Sequence, residues 1–212
     1  KNAIKAQSKF NVVNHVEAIT ILDCEYPTEL FELLQPPYVL FYKGNIELLK
    51  QPKVAIVGSR TPSKYAIDMT KQLVFALPKE YVIVSGLAKG IDGIAHQSSF
   101  ASHQTIGVLG CGINRVYPHQ NKAYFDWMAK HHLLLSEYPD TATPYPYRFI
   151  ARNRIIASLS NPLYVMAAAK RSGTLISVDY ALSLNKDVVV LPHPVGCISG
   201  EGCNQLIASG AL

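Results

Sequence analysis

The stretch that decides the fold is Val54-Ala-Ile-Val57, which leads directly into Gly58-Ser59-Arg60. Its four apolar residues are continuous and do not alternate with polar ones. This pattern is typical of a strand covered on both faces, as in a parallel sheet. A helix follows from about Ser63, because apolar residues then recur at three- and four-residue spacing until Pro78 ends the pattern. The stretch therefore predicts one strand–helix unit.

The same unit recurs along the rest of the chain. Further continuous apolar runs are Tyr81–Val84, Thr105–Leu109, Leu133–Leu135, Leu163–Met166 and Val188–Leu191. Segments with helical periodicity separate them, such as the one that contains Leu175, Val178 and Leu182 and ends near Asn185. This alternation predicts an α/β fold with a doubly wound, mostly parallel sheet and helices on both faces.

The first 50 residues have a different composition. Prolines interrupt them, and Tyr38–Tyr42 is predicted to be an extra edge strand. We expect residues 1–50 to form an N-terminal extension packed on the sheet, and residues 51–212 to form the main domain. The chain begins without Met and ends abruptly at Leu212, which suggests a fragment.

The composition indicates a well-packed protein without a metal site. About half of the 212 residues are hydrophobic (49%), and the net charge of +5 suits a polyanion such as nucleic acid, although mild basicity is also common. Cys24, Cys111, Cys197 and Cys203 form no Cys-x-x-Cys pair, so they are interpreted as reduced thiols of a cytoplasmic protein. The polar start excludes a signal peptide, and no apolar run is long enough to span a membrane.

The loop after the first strand of the main domain is the first candidate site, because ligands of open parallel sheets bind beyond the carboxyl ends of strands. Gly58 allows close approach to the backbone, Ser59 offers a hydroxyl, and the guanidinium of Arg60 suits a phosphate. Neither the dinucleotide fingerprint nor the P-loop is present, so no cofactor is expected. The alternative is a tight turn with a solvated arginine.

The loop after the next strand has the composition of a backbone nest for phosphate. Its candidate residues are Ser85, Gly86, Lys89, Gly90 and Asp92. Asp92 is interpreted as a capping residue of the following helix, ahead of a catalytic role. His96 lies one turn later, where Asp92 is one candidate to hold it. We expect a structural or ligand-orienting role for His96 ahead of a general base, because no nucleophile stands beside it.

Two later segments add cations and an aromatic ring. The candidates in the first are Arg148, Phe149, Arg152 and Asn153, which together suit phosphates and a stacked base. The alternative places Phe149 in the core and the arginines in surface ion pairs. The second segment contains Lys170, Arg171, Ser172, Gly173 and Thr174, a phosphate-binding turn at a helix N-terminus. Glu137 is predicted to hold a loop through backbone N–H groups. The basic loops together predict a positively charged groove along one edge of the sheet.

Several motifs, in this order, resemble the DNA-processing protein A (DprA/Smf) family. They are Tyr38-Val-Leu-Phe-Tyr-Lys-Gly44, Val57-Gly-Ser-Arg60, Val84-Ser-Gly-Leu-Ala-Lys-Gly-Ile-Asp92 with Ala95-His96, Thr105-Ile-Gly-Val-Leu-Gly110 with Tyr117-Pro118, Ser136-Glu-Tyr-Pro139, Arg152-Asn-Arg-Ile-Ile156 and Arg171-Ser-Gly-Thr-Leu175. The similarity extends from about residue 25 to the end of the chain.

The resemblance implies an extended Rossmann-like fold that binds single-stranded DNA and is not an enzyme. It implies a cytoplasmic homodimer that protects incoming DNA during natural transformation and helps to load the RecA recombinase. By motif, Arg60 contacts phosphate, the loop from Ser85 to Asp92 shapes the pocket, and Arg152 with residues 172–174 completes it.

The chain departs from the family pattern at one pocket position. Members of the family carry a lysine there, and the corresponding position in this sequence is approximately Pro146. Arg148 is the nearest cation and a candidate replacement. The N-terminal helical domain and the C-terminal winged-helix domain of many members are not expected within this chain. Two alternatives remain: a nucleotide-cleaving enzyme related to the lysine-decarboxylase-like phosphoribohydrolases, with Asp179 near its acidic position, and a sensor of small nucleotides.

Overall fold

In a computed structural model, which describes residues 16–212, eight strands form one sheet. The strands are β1 (Glu17–Thr20), β2 (Val39–Gly44), β3 (Lys53–Gly58), β4 (Val82–Ser85), β5 (Thr105–Leu109), β6 (Leu133–Ser136), β7 (Leu163–Ala167) and β8 (Val188–Val190). Their order across the sheet is β1-β2-β6-β5-β4-β3-β7-β8. The strands from β6 across to β8 are parallel, whereas β1 and β2 are antiparallel additions. The predicted fold class is confirmed.

Within the described residues, six α-helices cover the two faces of the sheet. They are α1 (Lys64–Ala76), α2 (Ile91–Ser99), α3 (Lys122–His131), α4 (Pro146–Leu159), α5 (Gly173–Ser183) and α6 (Glu201–Ala208). The central strand β3 has apolar side chains on both faces, as its continuous apolar sequence predicted. Val54 and Ile56 pack with residues of α1 and α2, while Ala55 and Val57 pack with residues of α4 and α5. None of the described helices is both long and apolar enough to cross a membrane.

The strand predicted at Tyr38–Tyr42 exists, but its predicted place at the edge is wrong. It is β2, which lies between β1 and β6 and pairs antiparallel with both. The edge strand is β1, which the sequence did not indicate because it has four residues, two of them exposed. A 3₁₀ helix at Thr28–Glu32 follows β1, and its Glu29 carbonyl accepts a hydrogen bond from Ser158 of α4 (2.6 Å). The division at residue 50 stays a prediction, and the polar start of the chain lies outside the described residues.

His96 is fixed to the sheet through Thr105, and not to the candidate partner Asp92. Its Nδ1 lies 2.7 Å from Oγ1 of Thr105, and that hydroxyl donates its own proton to the carbonyl of Ile83. The hydroxyl must therefore accept from His96, which places a proton on Nδ1. The imidazole is completely buried, and burial lowers the pKa of His96 to about 3. His96 is therefore a neutral structural residue.

We expect this buried imidazole to make the fold acid-sensitive. The folded pKa of His96 is below its unfolded value, so its stabilising effect is complete above about pH 6.5 and is lost as the pH falls toward 3. His96 alone should reduce the free energy of unfolding by about 1.4 kcal/mol per pH unit in that window. Urea unfolding of the wild type at about pH 7.5 and about pH 5 measures the slope.

The His96→Gln variant should be less stable than the wild type at the higher pH but should have a shallower pH dependence. The exposed His119 offers a control, because His119→Gln should leave the slope unchanged. An unaltered slope in His96→Gln would mean that folding does not lower the pKa of His96.

Candidate functional site

A cavity lies where the chain changes direction across the sheet. After β3 the chain continues through α1 on one face, and after β7 it continues through α5 on the other. The loops after these neighbouring strands therefore separate, which is the position where open α/β sheets bind ligands. A cavity of about 500 Å³ opens here, and a smaller one of about 170 Å³ adjoins it. Arg60, Ala88, Tyr117 and Phe149 line both cavities.

Most of the predicted site residues surround these cavities. The larger cavity is lined by Gly58, Ser59, Arg60, Asp92, Phe149, Arg152, Asn153, Ser172, Gly173 and Thr174. The smaller cavity is lined by Gly86 and Lys89 in addition to Arg60 and Phe149. Ser85, Gly90, Arg148, Lys170 and Arg171 line neither cavity. Four separate segments of sequence thus converge on one place.

The loop that presents Arg60 is braced by its neighbours. The Ser59 amide donates to the carbonyl of Ala167 at the end of β7 (2.8 Å), and the Ser59 carbonyl accepts from the amide of Ile91 in α2 (3.1 Å). Gly90 has a φ of +77°, and a β-carbon there would collide with the Ser59 carbonyl. Arg60 itself is exposed, and within residues 16–212 no carboxylate forms an ion pair with it. Its guanidinium is therefore available to an anion.

Arg152, in contrast, lines the larger cavity but is only 4% exposed. Its Nη1 donates to the carbonyl of Gly86 (2.7 Å), directly after β4, and to the carbonyl of Val108, near the end of β5. Asp92 is buried nearby, where burial raises the pKa of its carboxyl and the charge of Arg152 opposes that rise. The nearby backbone amides of Ala88 and Gly86 also oppose that rise in pKa. The hydrogen bonds of Arg152 hold the glycine loop in place and connect α4 to the sheet.

Ser85 also has a structural position. Its hydroxyl is completely buried and donates to the Ile56 carbonyl of the adjacent strand β3 (2.6 Å). Glu137 holds its loop differently from the prediction, because it forms an ion pair of 2.6 Å with Arg154 of α4. Both side chains of that pair are largely buried. The contact fixes the loop after β6 to α4.

The remaining predicted cations lie outside the cavity walls. The Lys170 ammonium is 3.8 Å from Glu201, and Arg171 is exposed. The Arg148 guanidinium lies over the ring of Tyr138, 4.8 Å from its centroid, and its Nη1 donates to the Thr143 carbonyl (2.7 Å). Arg148 therefore does not project into the cavity near Pro146, which does line it. Its proposed replacement of a pocket lysine stays a prediction.

Comparison with known proteins identifies the family. The model of the family described as DNA recombination-mediator protein A matches residues 17–212. The chain belongs to this family. It is 44% identical over 195 residues to the DNA processing protein DprA of Streptococcus pneumoniae, covering 92% of this chain and 69% of that protein. It is 43% identical to the protein Smf of Synechocystis, of which it spans about half (49%).

Two solved structures of family members share the fold. The X-ray structure of S. pneumoniae DprA superimposes with a TM-score of 0.91 over 93% of this chain and 70% of that chain. A structure of Helicobacter pylori DprA, described as giving insight into its unique single-stranded DNA binding mode, has a TM-score of 0.85 and 33% identity, over 93% of this chain and 91% of that one. The extended Rossmann-like fold implied by the family resemblance is confirmed.

The structure also places residues at the cavities that the prediction did not include. Tyr117 is 43% exposed, and its ring lies 5.1 Å from that of Phe149, inclined by 33°. Tyr117 lies in the segment between β5 and α3, so its position after a predicted strand is the signal by which the sequence could have identified it as a site residue. Phe149 itself is half-buried in the cavity wall, which argues against the alternative that placed it in the core. Two aromatic rings therefore stand beside Arg60.

Proposed function

We propose that this chain binds single-stranded DNA in the larger cavity, as a cytoplasmic DNA-processing protein of natural transformation. The observation that carries the proposal is the position of exposed Arg60 beside the half-buried ring of Phe149 at the ends of β3 and β7. A cation next to an aromatic ring suits the alternation of phosphate and base along a single strand. The net charge of +5 favours the approach of a polyanion. The single-strand binding described for the H. pylori relative supports the same ligand.

The N-terminus of α5 is proposed as the second phosphate contact. The Ser172 side chain caps this helix by accepting from the amide of Thr174 (3.1 Å). Gly173 is exposed, and no atom lies within 4 Å of the position a β-carbon would take. A phosphate can therefore approach the first amides of the helix closely, where the helix dipole is favourable. Asn153 and Thr174 add polar groups to the same wall.

We further propose that the site binds without catalysing a reaction. Asp92 is buried beside the buried Arg152, whose positive charge opposes the rise that burial causes in the pKa of the Asp92 carboxyl, so we assign it a structural role. Asp179, the acid considered for a nucleotide-cleaving enzyme, is exposed on α5 and does not line either cavity. Within residues 16–212 no group of three metal-ligating side chains is arranged to hold an ion. These positions favour binding over nucleotide cleavage.

The protein partners implied by the family resemblance, a second copy of the chain and RecA, belong to the same proposal. The exposed apolar side chains of Val195 and Ile198, which is 75% exposed, are proposed as contacts for such a partner. Protection of incoming strands and loading of RecA are the roles proposed for the assembled protein.

We expect the protein to prefer single-stranded over duplex DNA, with little dependence on sequence. Stacking on Phe149, which lines the cavity, requires an unpaired base, and a blunt duplex does not offer one. Fluorescence anisotropy with a labelled oligothymidine and with a blunt duplex of equal length measures the difference. Equal or tighter binding of the duplex would refute the proposal. Preferential binding of a mononucleotide, or release of free base from it, would favour the sensor or the enzyme.

A further inference from the structure

A cluster of tyrosines surrounds Arg148 beside the larger cavity. Tyr145 and Tyr147 stack nearly parallel, with an interplanar angle of 11° and 5.8 Å between ring centroids. The Arg148 guanidinium lies 5.2 Å from the centre of the Tyr145 ring and 5.7 Å from that of Tyr147. We call Tyr145, Tyr147 and Arg148 the tyrosine platform. Tyr145 is 49% and Tyr147 60% exposed, so much of each ring faces solvent.

The platform is ordered before any ligand arrives. Pro144 and Pro146 flank Tyr145 and restrict its backbone. The Arg148 guanidinium is fixed by its hydrogen bond to the Thr143 carbonyl and by the surrounding rings. A ligand that stacks on these rings therefore loses little side-chain entropy on binding. Exposed aromatic rings held in a fixed orientation are unusual for a surface that has only to remain soluble.

The platform is continuous with the proposed DNA pocket. Pro144 and Pro146 line the larger cavity, and Phe149 follows Arg148 directly in α4. Residues 141–150 contain no Asp or Glu, so Arg148 gives the segment a positive charge. Aromatic rings combined with a cation, and with no acidic residue in the same segment, match a nucleic acid strand better than a protein surface.

We propose that the tyrosine platform is a second binding subsite, which stacks unpaired bases of a single DNA strand where the strand leaves the pocket. The inference depends on the proposed function, because the pocket must bind the strand first. The pocket fixes one part of the strand through Arg60, and the platform adds affinity in proportion to the length that reaches it. It follows that longer oligonucleotides bind more tightly than those confined to the pocket.

The test compares two ligands across matched variants. A trinucleotide of thymidine occupies the pocket, and an oligothymidine of about 15 nucleotides extends over the platform. In Tyr145→Ala/Tyr147→Ala the longer ligand should bind about tenfold more weakly, as expected for the loss of base stacking, while trinucleotide affinity changes less than about twofold. Tyr145→Phe/Tyr147→Phe should retain the affinity, because it keeps the rings. Phe75→Ala removes an aromatic ring that is 87% exposed on α1 and serves as control.

Two further measurements make the result decisive. A longer ligand without bases beyond its first three nucleotides should bind wild type and Tyr145→Ala/Tyr147→Ala equally, because it has nothing to stack. Unchanged affinity of the Ala variant for the intact longer ligand would overturn the platform while leaving the pocket proposal in place. If the wild-type protein bound neither the trinucleotide nor the longer oligothymidine, the proposed function itself would be overturned. A loss of affinity accompanied by a loss of oligomer mass in sedimentation would assign the tyrosines to a protein interface instead.

Discussion

Replacing Arg60 with alanine should weaken single-strand binding by tenfold or more, on the order of 1.5–3 kcal/mol for a charge-assisted contact. Arg60 is exposed, lines both cavities and has no ion-pair partner within the described part of the chain. Its loss should therefore leave the melting temperature nearly unchanged. The dependence of affinity on salt should flatten by about one phosphate contact. Fluorescence anisotropy with oligothymidine at several salt concentrations measures both effects.

Lys71→Ala is a matched control for this experiment, because it removes one exposed positive charge on α1 away from the cavity walls. It should reduce binding only slightly, through the change in net charge. Equal affinity and equal salt slope in Arg60→Ala and wild type would remove Arg60 from the site and weaken the pocket assignment as a whole.

Replacing Arg152 with methionine, unlike the Arg60 substitution, should cause a large loss of stability. The substitution leaves the carbonyls of Gly86 and Val108 without their donor and leaves Asp92 buried without a nearby positive charge. Removing one partner from such a buried arrangement costs about 3–5 kcal/mol. For a chain of this size, that lowers the melting temperature by roughly 6–20 °C. Thermal unfolding followed by circular dichroism measures the shift.

The exposed Arg171 provides the comparison, since Arg171→Met should change the melting temperature by at most a few degrees. If Arg152→Met instead kept its melting temperature and lost affinity for DNA, Arg152 would be a ligand contact, as the family resemblance implies. The pair Arg60 and Arg152 thus separates binding from stability within one pocket.

The parallel part of the fold was predictable because each of its strands has a continuous apolar run in the sequence. Thr105–Leu109 was predicted to the residue, since a strand buried on both faces needs an unbroken apolar run. The antiparallel pairing of β2 with β6 was not predictable, because it joins residues about 90 positions apart and no local pattern specifies it. The short strand β1 contains too few buried residues to be distinguished from a loop.

The site was predictable in position but not in the role of each side chain. Strand ends placed Gly58, Ser59 and Arg60 correctly beside the cavity, because parallel strands bring their carboxyl ends to one edge. Arg148 and Arg152 lie one turn apart on α4 and have the same side chain, so the sequence alone gives no reason to assign them different roles. The structure separates them, since Arg152 is buried among backbone carbonyls and Arg148 lies among tyrosine rings. Burial is set by packing between distant segments, which spacing alone does not reveal.

The bracing of the Ser59 loop has a kinetic consequence. Hydrogen bonds from Ser59 to Ala167 and from Ile91 to Ser59, together with the close approach of Gly90, join three loops into one preformed rim. If single-stranded DNA binds at this rim, as proposed, we expect it to meet a preformed site, so that no slow rearrangement delays its capture. Its association should then be limited by diffusion and accelerated by attraction to a chain of net charge +5, so the rate should fall as salt rises. Its dissociation should be set by the contacts within the rim, so substitutions there should mainly alter the residence time.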